Sequence, residues 1–88
     1  MVKTKHGTFE VRPITFGERR ELHRLEMKAY KDESLDPDGY FGLLNWVMQK
    51  AFITPEEILQ KFDDAEVDEI LNDIYLYYKG LSKKKNSK

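Results

Sequence analysis

The stretch SLDPDGYFGLLNWVMQKAF, residues 34–52, decides the fold, because it reads either as a calcium loop or as the start of a central helix. Aspartates at alternate positions before a glycine open an EF-hand loop, whose glycine is sixth and whose charged ligands stand at positions one, three, five and twelve. With Gly39 sixth, Asp36 and Asp38 take positions three and five, but Ser34 is first, Asn45 is twelfth and Pro37 is fourth. The bidentate glutamate is missing, and a hydroxyl and an amide replace two of the four charges. Turn chemistry fits better: Pro37 fixes φ and an aspartate caps a helix over about residues 38–52. Tyr40, Phe41, Leu44, Val47, Met48, Ala51 and Phe52 fill one broad arc of that helix, and Leu43 and Trp46 extend it. A helix apolar over most of its circumference is central in a small fold or contacts a partner.

Working outward towards the N-terminus, Thr15 and Glu18 have capping-box spacing and start a helix over about residues 16–31. Its apolar face is narrow, Leu22, Leu25 and Ala29, with Met27 and Tyr30 at one flank and charge elsewhere. Before it, residues 2–12 alternate around His6-Gly7 as a hairpin or a single short strand, the one candidate β segment. A lone hairpin is marginal and must lie on helices. On the other side, Thr54-Pro55-Glu56-Glu57 combines an N-cap, proline at the first helical position and glutamate three residues on. That helix is short and carries Ile58, Leu59 and Phe62. Asp63-Asp64 restarts the chain as a last helix over about 64–79, with Val67, Ile70, Leu71, Ile74, Tyr75, Tyr78 and Leu81 as its inner stripe and Gly80 as its C-cap. The predicted fold is mainly α: a small helical domain, residues 1–80, of about four helices with a short N-terminal strand or β-hairpin, and a disordered basic tail, 81–88.

Eighty-eight residues allow one small domain, which buries about 60% of its unfolded surface. There is no cysteine, so neither a disulfide framework nor a thiolate zinc site can form. No apolar run approaches the length of a membrane span, and the opening residues lack the apolar core of a signal peptide. The chain therefore reads as soluble and intracellular. Its charge is sorted: residues 1–31 carry eight Lys/Arg against four Asp/Glu, 32–78 two against twelve, and 79–88 five lysines and no acid. The basic start and tail raise the alternative of a small regulatory or nucleic-acid-associated protein, but no aromatics interleave with the basic residues.

Little in the chain points to catalysis. His6 and His23 have no histidine one helical turn away and no cysteine, so a metal site would need carboxylates from afar. No lysine follows Gly39 and Gly42 at phosphate-loop spacing. The carboxylates at 63–73 read as helix N-terminal charge and a solvated face. No catalytic, cofactor-binding or metal residues emerge, no cofactor is expected, and the chain reads as a non-enzyme. Surplus apolar residues are more telling. Leu76 points away from the inner stripe of the last helix, Tyr77 sits at its edge, and Leu43 and Trp46 widen the arc of the second helix; these four are the candidate partner-binding residues.

The segment GTFEVRPITFGERRELHRLEMKAY, with TPEEI before EVDEILNDIYLYY, resembles the tail assembly chaperones of tailed bacteriophages, over most of residues 7–78. Those chaperones are short, pass from a strand-like segment through Arg-Pro-Leu/Ile-Thr into a charged helix, and close with helices rich in Asp, Glu and Leu. The resemblance implies a non-enzymatic role, keeping the long helical tape measure protein soluble while the tail tube assembles around it. It implies the tape measure protein as partner, leaves the tail tube protein and self-association open, and places the protein in the host cytoplasm, outside the mature virion. It also implies a longer frameshifted form, with which the lysine run Lys83-Lys84-Lys85 is compatible.

Overall fold

A computed structural model describes the backbone at residues 1–31 and 34–84, and the side chains at 1–30 and 34–80. The chain opens as a β-hairpin, β1 (Val2–Thr4) pairing antiparallel with β2 (Gly7–Phe9). Gly7 takes φ +123°, a conformation that a side chain would strain, which is what the tight turn at Lys5-His6 requires. The Thr4 hydroxyl reinforces the turn, donating to the Gly7 carbonyl at 2.8 Å and accepting from the His6 amide at 3.1 Å. Val2 is buried and β1 packs on the last helix, which supplies the support that a lone hairpin lacks.

Helix α1 (Phe16–Ala29) starts on the predicted capping box: Thr15 Oγ1 accepts from the Glu18 amide at 3.1 Å and Glu18 Oε1 from the Thr15 amide at 2.9 Å. It ends two residues before the predicted end, because the chain turns at once into a second small hairpin, β3 (Tyr30–Lys31) against β4 (Ser34–Leu35). Residues 2–12 are therefore not the only β segment. Helix α2 (Pro37–Ala51) is capped by Asp36, whose Oδ2 accepts from the Gly39 amide at 3.1 Å. The would-be calcium ligand is a helix cap.

After α2 comes the single-turn helix α3 (Pro55–Leu59) and then the long α4 (Asp64–Lys84). The strong-looking start at Thr54 makes no side-chain cap bond. The working box lies at Asp63, whose Oδ1 accepts from the Glu66 amide at 2.8 Å while Glu66 Oε1 accepts from the Asp63 amide at 3.1 Å. Gly80, predicted as the C-cap, stands inside α4 instead. A glycine lowers helix stability by only about 1 kcal/mol, which a helix of this length tolerates. The predicted disordered tail thus begins within α4, its last four residues lie outside the described ones, and the expectations placed on Leu81 and on Lys83, Lys84 and Lys85 fall on side chains outside them too.

The core lies where α1, α2, α4 and β1 meet. Leu22 and Ala29 from α1, Leu43, Leu44, Val47 and Ala51 from α2, and Ile70, Leu71, Ile74, Tyr75 and Tyr78 from α4 are buried there. The segment between β2 and α1 closes it: the Arg12 amide and Nε donate to the Ala51 and Lys50 carbonyls at 3.0 and 3.1 Å, and the Tyr78 hydroxyl donates to the Arg12 carbonyl. Two of the carbonyls left unpaired at the end of α2 are thereby satisfied. Burial pushes the Tyr78 phenol up to about 12, with Tyr77 adding to it.

Candidate functional site

Of the four residues singled out as partner-binding, Leu76 alone stands out from the surface, at 51% exposure. Leu43 is the opposite, 0% exposed in the centre of the core, so it is a packing residue. Trp46 is half-buried against the core with Lys50 Nζ 5.8 Å from its ring, and Tyr77 is half-buried with its ring 5.8 Å from that of Tyr78. The four do not form one surface. Phe41, assigned by its spacing to the inward arc, is 67% exposed. The reason lies at Gly39, where an added Cβ would come within 3.0 Å of the Ala29 Cα and 3.1 Å of the Lys28 carbonyl oxygen. The backbone of α1 therefore crosses α2 at Gly39, and Leu43 and Val47, four and eight residues on, share that covered side. Phe41, two residues on, faces away.

Two grooves collect most of the large apolar side chains exposed among the described residues, Met1 and Ile53 lying elsewhere. The first runs between α2 and α4. Buried Leu44 and Leu71 form its floor, half-buried Met48 and Val67 its walls, and Phe41 stands at its mouth with Asn45. Asp64 and Asp68 make its rim acidic. The second is a trough between α1 and α4, formed by two depressions that share His23, Glu26 and Lys79. Phe16, Met27, Tyr30 and Leu76 line it, and Leu35 is the cross-strand neighbour of Tyr30. Five of the eight large apolar side chains exposed among the described residues thus lie along or beside this trough.

Polar groups fix the trough floor. Glu26 Oε2 accepts from the Tyr75 hydroxyl at 2.7 Å and pairs with Lys79 Nζ. Burial works against the Glu26 charge, but the hydrogen bonds from Lys79 and Tyr75 outweigh it and hold the carboxyl below the usual range. Burial and the bond to Glu26 push the Tyr75 phenol well up. The Tyr40 hydroxyl donates to Asn72 Oδ1 at 2.9 Å, and burial, with Tyr30 and Asp68 nearby, raises its phenol as well. On the far side of α4, His6 Nε2 lies 2.7 Å from Glu69 Oε1, which fastens the hairpin turn to that helix. His23 is exposed, 3.8 Å from Glu26 Oε1.

Among the described residues no group of three or more His, Asp or Glu could hold a metal ion, and no helix is long and apolar enough to cross a membrane. Two of the apolar grooves of the surface lie on adjacent faces of α4, and a third lies between the segment after β2 and the end of α2. Sequence reasoning missed Phe41 and Leu35. The signal for Phe41 was Gly39, because a glycine that admits a neighbouring backbone marks the covered face. Leu35 had no local signal, since its exposure follows from the β3–β4 hairpin. No protein-family model matches the chain, and comparison with curated proteins and with solved structures gives no match, so the functional reading rests on these grooves and on the motifs of the sequence.

Proposed function

We propose that the protein is a non-enzymatic chaperone that holds apolar helical segments of a longer partner in the groove between α2 and α4, as a tail assembly chaperone holds a tape measure protein. The observation that carries this reading is Phe41, an aromatic side chain left 67% exposed beside Met48 and Val67 and under the two rim aspartates. An aromatic anchor above a half-buried apolar floor is how a groove takes an amphipathic helix, and methionine adapts to varied ligand side chains. Asp64 and Asp68 favour a helix that carries lysine or arginine beside its apolar stripe. None of Leu43, Trp46, Leu76 and Tyr77 lines this groove, so on this reading Phe41 takes the part of anchor in their place. On this reading the protein works in the cytoplasm of the host and leaves before the virion is complete.

Co-expression with a tape measure protein tests it. Phe41→Ser removes the anchor without opening the core and lowers recovery of the complex at least about tenfold, which corresponds to roughly 1.4 kcal/mol of binding, with the melting temperature unchanged. Full retention of the partner by Phe41→Ser and by Asp64→Lys overturns the assignment. Duplex DNA is the contrasting ligand: affinity that falls steeply with salt would favour the basic residues of α1 and the tail instead.

A further inference from the structure

We infer that the open edge of β2 is a docking site for an extended peptide segment, which joins the hairpin as a third strand in the groove between β2 and the chain leaving α2. This is independent of the reading given to the α2–α4 groove, whose occupant is a helix. Among the described residues β2 pairs with β1 on one side and with no strand on the other. Thr4 faces Gly7 across the tight turn and Val2 faces Phe9, and these are the pairs that exchange hydrogen bonds. The intervening Thr8, and Glu10 beyond, turn their N–H and C=O groups outward. Neither makes another backbone hydrogen bond among the described residues. Arg12, next in the same alternation, shows where the edge points, because its amide donates to the Ala51 carbonyl at the end of α2.

From that closure the two chains part, and the space between them is the groove. Phe52 leaves α2 in an extended conformation, φ −121° and ψ 141°, and Ile53 after it makes no hydrogen bond among the described residues. Both walls thus carry backbone donors and acceptors. The floor is apolar: Ala51 and Phe52 are buried, Phe9 and Ile58 half-buried, and Ile53 stands 77% exposed at the wall. A helix has spent its own backbone groups and cannot answer an open edge, whereas an extended segment can. Side chains of a strand alternate between two faces, and residues opposite each other share a face. The residue opposite Phe9 therefore turns onto the floor and is apolar. Those opposite Thr8 and Glu10 face solvent. Glu10 has no ion-pair partner among the described residues, so it favours lysine or arginine opposite it. The occupant is a strand with an apolar residue beside a basic one.

Titration of the isotope-labelled protein with a capped pentapeptide, threonine-lysine-valine-lysine-threonine, tests this by NMR. The Thr8, Glu10 and Ile53 amides are expected to shift together and saturate below about 5 mM peptide, and the Thr8 and Glu10 amides to exchange with solvent more slowly in the complex. The same peptide methylated on the backbone nitrogens of both lysines keeps its charge and its valine but loses the donors, and it should bind at least about tenfold more weakly. Glu10→Lys and Ile53→Asp should each weaken binding about threefold or more. Both positions are exposed, so melting temperatures stay within a few degrees and a loss of binding is not a loss of fold. Absence of shifts at Thr8 and Glu10 overturns the proposal, as does equal binding of the methylated peptide. Shifts confined to Phe41, Met48 and Val67 place the peptide in the α2–α4 groove and overturn it too. Indifference to Glu10→Lys overturns the preference for a basic strand.

Discussion

Gly39 shows how much one missing side chain can decide. A methyl group there would stand 3.0 Å from the Ala29 Cα, 3.0 Å from the capping Asp36 Oδ2 and 3.1 Å from the Lys28 carbonyl oxygen, so three neighbours, two of them backbone, would have to yield. Gly39→Ala is therefore expected to destabilise the fold by about 1–3 kcal/mol, as overpacking does, measurable by urea denaturation. Three residues on, Gly42 has nothing within 4 Å of an added Cβ and is helical. Gly42→Ala should stabilise by about 0.5–1 kcal/mol through helix propensity. The opposite signs make the pair a test of the α1–α2 crossing itself. In the sequence Gly39 was legible as a turn glycine and its aspartates as a cap. Its second role was not, because the helix that passes over it is remote in a linear reading, and with it went the choice between Phe41 and Leu43 as the inward residue.

The helices were legible where their signals were local. Capping at Thr15, the start after Asp36 and the inner stripe Ile70, Leu71, Ile74, Tyr75 and Tyr78 all depend on residues within a turn or two of each other. Thr54 is the instructive exception: its φ of −128° and ψ of 74° leave its hydroxyl without a cap bond, whereas Asp63 and Glu66 exchange two. Asp63→Ala is expected to lose about 1 kcal/mol and Thr54→Ala only a few tenths, a contrast that thermal melting resolves. Burial ranks the apolar positions in the same way. Leu43→Ala opens a cavity in the core and should lose about 2–5 kcal/mol, whereas Leu76→Ala should change stability by less than about 0.5 kcal/mol. Chemical denaturation distinguishes them, and equal losses would put Leu76 in the core. The β3–β4 hairpin and both grooves had no such local signature, since they exist only once α1, α2 and α4 are set against one another.

At the scale of the whole molecule, a carboxylate ties the two sides of the trough together. Glu26 on α1 takes hydrogen bonds from Tyr75 and Lys79 on α4, and its carboxyl is held below the ordinary value of 4.5. A folded-state value below the unfolded one stabilises the fold above the unfolded value and loses that contribution as pH falls through the folded one. The wild-type melting temperature should therefore fall more steeply than that of Glu26→Gln as pH drops below about 4.5, and parallel curves would show that the charge of Glu26 does not support the fold. The Arg12 strap has a consequence of another kind, in the order in which the chain is made. Its amide and guanidinium hold the end of α2, its carbonyl takes the Tyr78 hydroxyl, and Val2, across the hairpin from Phe9, packs with the core of which α4 is part. The segment that leaves the ribosome early therefore has its anchorage in segments that leave late. Until Tyr78 has emerged, residues 2–12 have only the end of α2 to hold them, and a nascent chain stopped before α4 should offer them to a protease more readily than the finished protein does.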